Sequence, residues 1–163
     1  MGNSAGGVHL STFLLDPSFQ SQRLALTPGS QNIAWKGAIC LGIPAHFDTA
    51  LPNRLGTLNA YYGSPEDTKG KEPCGMLKTA VKGQRKEAGV PQPLLLVGEW
   101  DPEDESAGPM RNFAALWEKG WGTGVELRTV AGHNHISPPL ALMSGEGEQW
   151  GEEVAAWIKG LSS

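Results

Sequence analysis

Residues 2–6 read Gly-Asn-Ser-Ala-Gly, which matches the pattern G-x-S-x-G. A serine that is to attack an acyl carbon must stand on a sharp strand-to-helix turn, its backbone in an unfavourable conformation and its hydroxyl exposed. Glycine two positions to either side removes the side chains that would collide there. The helix that follows such a turn directs free N–H groups and its positive dipole end at a developing oxyanion, and Ala5 N–H is the natural donor. A serine hydroxyl is a weak nucleophile. It needs a base titrating near neutrality and an acid to orient that base. Asp101 lies just past the apolar run PLLLVG, in the turn GEWDPED, and His135 lies just past VELRTV, in GHNHIS. Both therefore fall at the carboxyl ends of expected strands, the edge where α/β sheets gather their sites. The chain order is Ser4, Asp101, His135, the order in which sheets of this kind present nucleophile, acid and base.

Those three residues are useful only if the elements between them form one sheet. Leu10, Phe13 and Leu14 at helical spacing predict a helix over 8–15, stopped by Pro17. The polar stretch 18–32 reads as a loop. The run WKGAICLGI at 35–43 reads as a buried strand ended by Pro44. Residues 44–75 carry Phe47, Tyr61 and Tyr62 and then a Gly/Pro/charge-rich stretch, a composition that suits a mobile or lid-like surface segment. Leu77, Ala80 and Val81 predict a short helix over 76–88, with Lys78, Lys82, Arg85 and Lys86 on its solvated face. Strands are expected at 93–98 and 125–130. Between them lies a helix running through Phe113, Leu116 and Trp117 to Gly120, capped by Asp104 or Ser106. Trp150, Val154, Trp157, Ile158 and Leu161 describe an amphipathic closing helix. Strands that alternate with helices and lack hairpin turns imply a mostly parallel sheet covered on both faces, an α/β architecture in a single domain. The 22 glycines and 12 prolines supply the many tight turns such a fold needs.

Other chemical readings are weaker. His133 shares an extended segment with His135, so His-x-His could face a metal, but no cysteine is near and Asp101 already has a role as acid. His133 is read as a turn residue. His9 is expected to pack or line a pocket and His46 to lie on a lid or the surface. Asp101 could be only a turn former before Pro102. The segment 145–151 superficially suggests a nucleotide loop, but its spacing is wrong and no strand precedes it. Cys40 is expected to be a small buried apolar residue.

Composition bounds the function. Against 13 Lys+Arg stand 17 Asp+Glu, a net charge of −4, which excludes a strongly basic nucleic-acid face. No apolar run approaches membrane-spanning length. Two cysteines, Cys40 and Cys74, without CxxC spacing exclude a disulfide framework and a cysteine zinc site. No secretory pattern opens the chain, so a cytoplasmic location is the expectation.

The stretches GNSAGG, LNAYYGSPED, GEWDPEDE and GHNHIS together resemble the C-terminal portion of an α/β-hydrolase of the esterase/lipase type, near the hormone-sensitive-lipase-like branch, and they span almost the whole chain. The resemblance implies that Asp101 is the acid, as the first Asp of a D-P-x-x-[DE]-like turn. It implies that His135 is the base, as the His of a G-x-x-H turn, in preference to His133. It also implies a small-molecule acyl ester as substrate, with Phe47, Tyr61 and Tyr62 lining its pocket, and no cofactor or metal. Amidases, thioesterases and transesterases use the same three groups.

The chain departs from that pattern at its start. Met1 directly precedes Gly2, so the strand that should lead into Ser4 and the His-Gly-Gly type loop that completes the oxyanion hole are expected to be missing. Losing one oxyanion donor slows such reactions by about 10²–10³. Only the last three strands are expected, leaving the strand at 35–43 with an open edge suited to self-association. A serine so near a terminus is not expected to keep a strained geometry. A piece of a longer hydrolase is the preferred reading. A non-catalytic remnant acting as an interaction module, or an enzyme completed by a partner chain, are the alternatives.

Overall fold

The computed structural model describes residues 1–27 and 34–161. Its centre is a four-stranded sheet, β1 (Gly2–Asn3), β2 (Ala38–Leu41), β3 (Pro93–Gly98) and β4 (Glu126–Val130), in sequential order and parallel throughout. Pairing aligns Gly2 with Cys40, Cys40 with Leu95, and Leu95 with Leu127. The expectation of three strands is corrected: two residues ahead of Ser4 pair with β2, so β1 and not β2 forms that edge.

Alternation along the strands divides the core. Ala38, Cys40 and Leu95 face a layer built from Leu14 and Leu15 of α1 (Ala5–Leu15), Cys74 and Leu77 of α5 (Pro73–Leu77), and Met110, Phe113 and Trp117 of α6 (Gly108–Trp121). Ile39, Leu41, Leu94 and Leu96 face the other way, onto Trp150 and Val154 of α8 (Gln149–Gly160). This period of two is why β2 and β3 read as continuous apolar runs: both faces are covered.

Several expected elements differ. The stretch 18–32 begins with a 3₁₀ turn at Pro17–Phe19 and helix α2 (Gln20–Ala25); residues 28–32 lie outside those described. Its order comes from buried Arg23, which donates to the carbonyls of Phe13, Asp16 and Ala88. The 35–43 strand is limited to four residues. Residues 44–75 contain α3 (Pro52–Tyr62) and α4 (Pro65–Lys71), the latter capped by the Ser64 hydroxyl and braced by a Lys71–Asp67 pair. The helix expected over 76–88 is absent: α5 stops at Leu77, and Gly83 and Gly89 adopt positive φ in the turns that follow. Arg85, assigned to a solvated face, donates to the Val90 carbonyl. A five-residue α7 (Ser137–Ala141) follows the His135 turn and was not foreseen.

Candidate active site

Ser4 forms the turn between β1 and α1 with φ +51° and ψ −125°, a left-hand region that a non-glycine residue occupies only when its surroundings impose it. Its N–H donates to the Leu41 carbonyl at 2.9 Å, extending the β1–β2 ladder by one bond, and its carbonyl accepts from the N–H groups of Gly7 and Val8. The expectation that this serine cannot hold a strained conformation is therefore corrected. Glycine is needed at two places in the turn. A Cβ on Gly2 would lie 2.6 Å from the Gly6 carbonyl oxygen, and one on Gly7 would lie 2.0 Å from Ile43 Cγ2. Gly6, the second glycine of the motif, faces open space.

Asp101 follows β3. Its N–H donates to the Gly98 carbonyl, and its side chain is 1% exposed. Carboxylate Oδ2 accepts from Gly98 N–H at 3.2 Å and from Ser106 Oγ at 3.0 Å. His135 follows β4. Its Nε2 lies 2.8 Å from Ser4 Oγ, and its Nδ1 lies 3.6 Å from Asp101 Oδ1. Both Nδ1 and Oδ1 are buried, and neither has another hydrogen-bond partner among the described residues. A donor and an acceptor stand face to face, a few tenths of an ångström beyond bonding distance.

The turns at the sheet edge interlock around these groups. Trp100 N–H donates to the His133 carbonyl, Glu99 N–H to the Val130 carbonyl, and Gly132 N–H to Glu99 Oε2. Gly98 allows the approach, since a Cβ there would meet the His133 carbonyl oxygen at 2.7 Å. Gly42, with φ +54°, passes so close that its Cβ would stand 3.0 Å from both Asp101 Oδ2 and His135 Nδ1. Neither Gly42 nor Gly7 was marked by sequence reasoning. The signal available was a glycine directly after a strand and a third glycine after the motif.

His133 is turned away from Ser4. Its Nε2 lies 2.6 Å from the Gly147 carbonyl, which can only accept, so Nε2 carries the proton and Nδ1 accepts from the Ser137 hydroxyl at 3.0 Å. Both ring nitrogens are thus committed to holding the turn. Asp104 and Ser106, expected as helix caps, cap nothing: α6 begins at Gly108, behind a π-turn at Glu103–Ala107. Asp104 is exposed, and Ser106 is buried against Asp101.

Against Ala5, the residue after Ser4, opens a cleft of about 550 Å³ between α1, the loop after β2 and α3; Ser4, Asp101 and His135 are not among its lining residues. Ala5, Val8 and His9 of α1 line it together with Phe47, Tyr61 and Tyr62. The two tyrosines meet edge to face at 4.9 Å. His46 also lines it, its Nε2 accepting from Asn112 at 3.1 Å. Cys40 is fully buried, and burial pushes its thiol up to about 11, which makes it a packing residue and no nucleophile.

A parallel sheet with helices on both faces, Ser4, Asp101 and His135 at its carboxyl edge, and the sharp turn at Ser4 define a partial α/β-hydrolase fold. Solved structures of that fold superpose on nearly the whole chain. Esterase 2 of Thermogutta terrifontis, with butyrate bound, is 18% identical over 99% of this chain and 54% of its own, with a TM-score of 0.62. Carboxyl esterase 2 of the mycorrhizal fungus Tuber melanosporum is 15% identical over 98% of this chain and 52% of its own (TM-score 0.51). Vibralactone cyclase is 16% identical over 99% and 48% (TM-score 0.51). This chain thus spans about half the length of these neighbours. No protein-family profile and no curated protein matches it.

Proposed function

We propose that the chain carries the catalytic groups of a serine-dependent carboxylic ester hydrolase. The observation that carries this reading is the 2.8 Å approach of His135 Nε2 to Ser4 Oγ, with Ser4 in the strained turn. With the Nδ1 proton directed at Asp101, Nε2 is left to accept the serine proton as Oγ attacks the acyl carbon. The tetrahedral intermediate collapses when Nε2 returns that proton to the leaving alkoxide, and water repeats the cycle on the acyl-enzyme. Asp101 holds the tautomer and balances the imidazolium. Ala5 N–H, at the first position of α1 where helical N–H groups lack intrahelical partners, is the oxyanion donor.

The cleft beside Ala5 is apolar and aromatic, which fits a small or medium apolar ester. Esterase 2 of Thermogutta terrifontis, a neighbour in fold, has been solved with propionate and with butyrate bound, in keeping with a short acyl group. The test is labelling by a fluorophosphonate together with hydrolysis of p-nitrophenyl butyrate. Both are expected to vanish in Ser4→Ala, and unchanged labelling would remove Ser4 from the mechanism. A chain that never labels would favour a non-catalytic module.

A further inference from the structure

The residues just after Asp101 are Pro102, Glu103, Asp104, Glu105 and Ser106. In an ordinary helical turn the positions stacked over residue 101 would be 104 and 105, and both are carboxylates. A second carboxylate beside Asp101 would repel its charge. The chain avoids this with the π-turn at Glu103–Ala107, in which the N–H groups of Ser106 and Ala107 both donate to the Pro102 carbonyl, at 3.0 and 3.1 Å. The wider turn leaves Glu103, Asp104 and Glu105 exposed, with Glu103 paired to Arg111 and Glu105 to Arg54. It brings Ser106, five residues on, beneath the acid. Ser106 is 1% exposed, and its Oγ lies 3.0 Å from Asp101 Oδ2. π-turns of this kind concentrate at functional sites.

We infer that Ser106 is a positioning residue, whose hydroxyl, with Gly98 N–H, pins Asp101 Oδ2 so that Oδ1 faces His135 Nδ1. The two donors occupy one carboxylate oxygen and leave the other free for the imidazole. Without Ser106 the carboxylate is held by the Gly98 bond alone and can rotate about its Cβ–Cγ bond. His135 then loses the partner that keeps its proton on Nδ1, and Nε2 is no longer reserved as an acceptor for Ser4. The role in catalysis rests on the esterase reading above; the effect on the His135 tautomer does not.

The experiment compares wild type, Ser106→Ala and Ser106→Thr in two measurements on this chain. The first is the ¹⁵N spectrum of the imidazoles, which reports the tautomer directly. Wild type and Ser106→Thr should hold His135 as the Nδ1–H form, and Ser106→Ala should shift it toward Nε2–H. The second is the rate of fluorophosphonate labelling at Ser4. It should fall about 10- to 100-fold in Ser106→Ala, the scale of a small misplacement in an active site, recover in Ser106→Thr, and show no further fall when Ser106→Ala is added to Asp101→Ala. An unchanged tautomer in Ser106→Ala, or a labelling loss that adds fully to that of Asp101→Ala, would overturn the positioning role. Absence of any labelling in wild type would instead bring down the esterase reading, while the tautomer comparison would still decide the role of Ser106.

Discussion

Gly42 contributes no side chain to the site, yet the site depends on that absence. With φ +54° and its Cβ position 3.0 Å from both Asp101 Oδ2 and His135 Nδ1, it admits the His–Asp pair only as glycine. Gly42→Ala is expected to destabilise the chain by about 1–2 kcal/mol through its left-handed backbone and to suppress Ser4 labelling beyond that loss; denaturant melts and labelling rates separate the two effects. The two histidines of GHNHIS make a sharper comparison. His135 touches Ser4, whereas His133 binds Ser137 and Gly147. His135→Ala should therefore abolish labelling, and His133→Ala should lower stability while leaving far more labelling behind. The reverse ranking would reassign the base. At this scale the sequence was informative: G-x-S-x-G, the two strand-end turns and their order already pointed to the three residues. It did not reveal that Ser106 serves Asp101, because nothing in the residue types shows that the turn after Pro102 is widened by one residue.

The β1–α1 turn shows what a motif does and does not specify. The sequence pattern names Gly2 and Gly6, but the close approaches are at Gly2 and Gly7, where Ile43 packs against the first turn of α1. Gly7→Ala should disrupt the turn and reduce labelling. Gly6→Ala points into open space and should leave the fold intact, adding up to about 1 kcal/mol from better helix propensity; thermal melts of the two variants decide it. Strand β3 and helices α1, α6 and α8 were legible because their apolar spacing is dictated by the faces they bury. Helix α2 and the end at Leu77 were not. The first is fixed by Arg23 reaching carbonyls on two other segments, and the second gives way to turns in which Gly83 N–H donates to the Trp121 carbonyl and Gly89 lies against Arg23 and Leu24 of α2. Such tertiary causes leave no periodicity to read.

For the molecule as a whole, the parallel direction of the sheet followed from strands that lack hairpin turns, but the two-residue β1 was too short to show in any pattern. Within the segment between β2 and β3, the loop after β2 is tied to the start of α5 by Glu72, which is 3% exposed and accepts from Phe47 N–H at 2.8 Å. Burial pushes its carboxyl above the ordinary range, partly offset by that bond. A carboxylate raised in the folded state lowers stability once ionised. The penalty is absent below the unfolded value near 4.5 and grows as pH rises through the folded value. Glu72→Gln keeps an acceptor for Phe47, so its Tm should exceed wild type at pH 7 and lose that advantage below pH 4.5. A gain that persists in acid would contradict the burial argument. The central claim is that one sheet edge turns Ser4 into a nucleophile, and it is tested most directly by treating this chain with a fluorophosphonate and mapping the adduct by mass spectrometry. The account predicts a single adduct on Ser4 that disappears in His135→Ala. An adduct elsewhere, none at all, or one on Ser4 that survives the loss of His135 would contradict it.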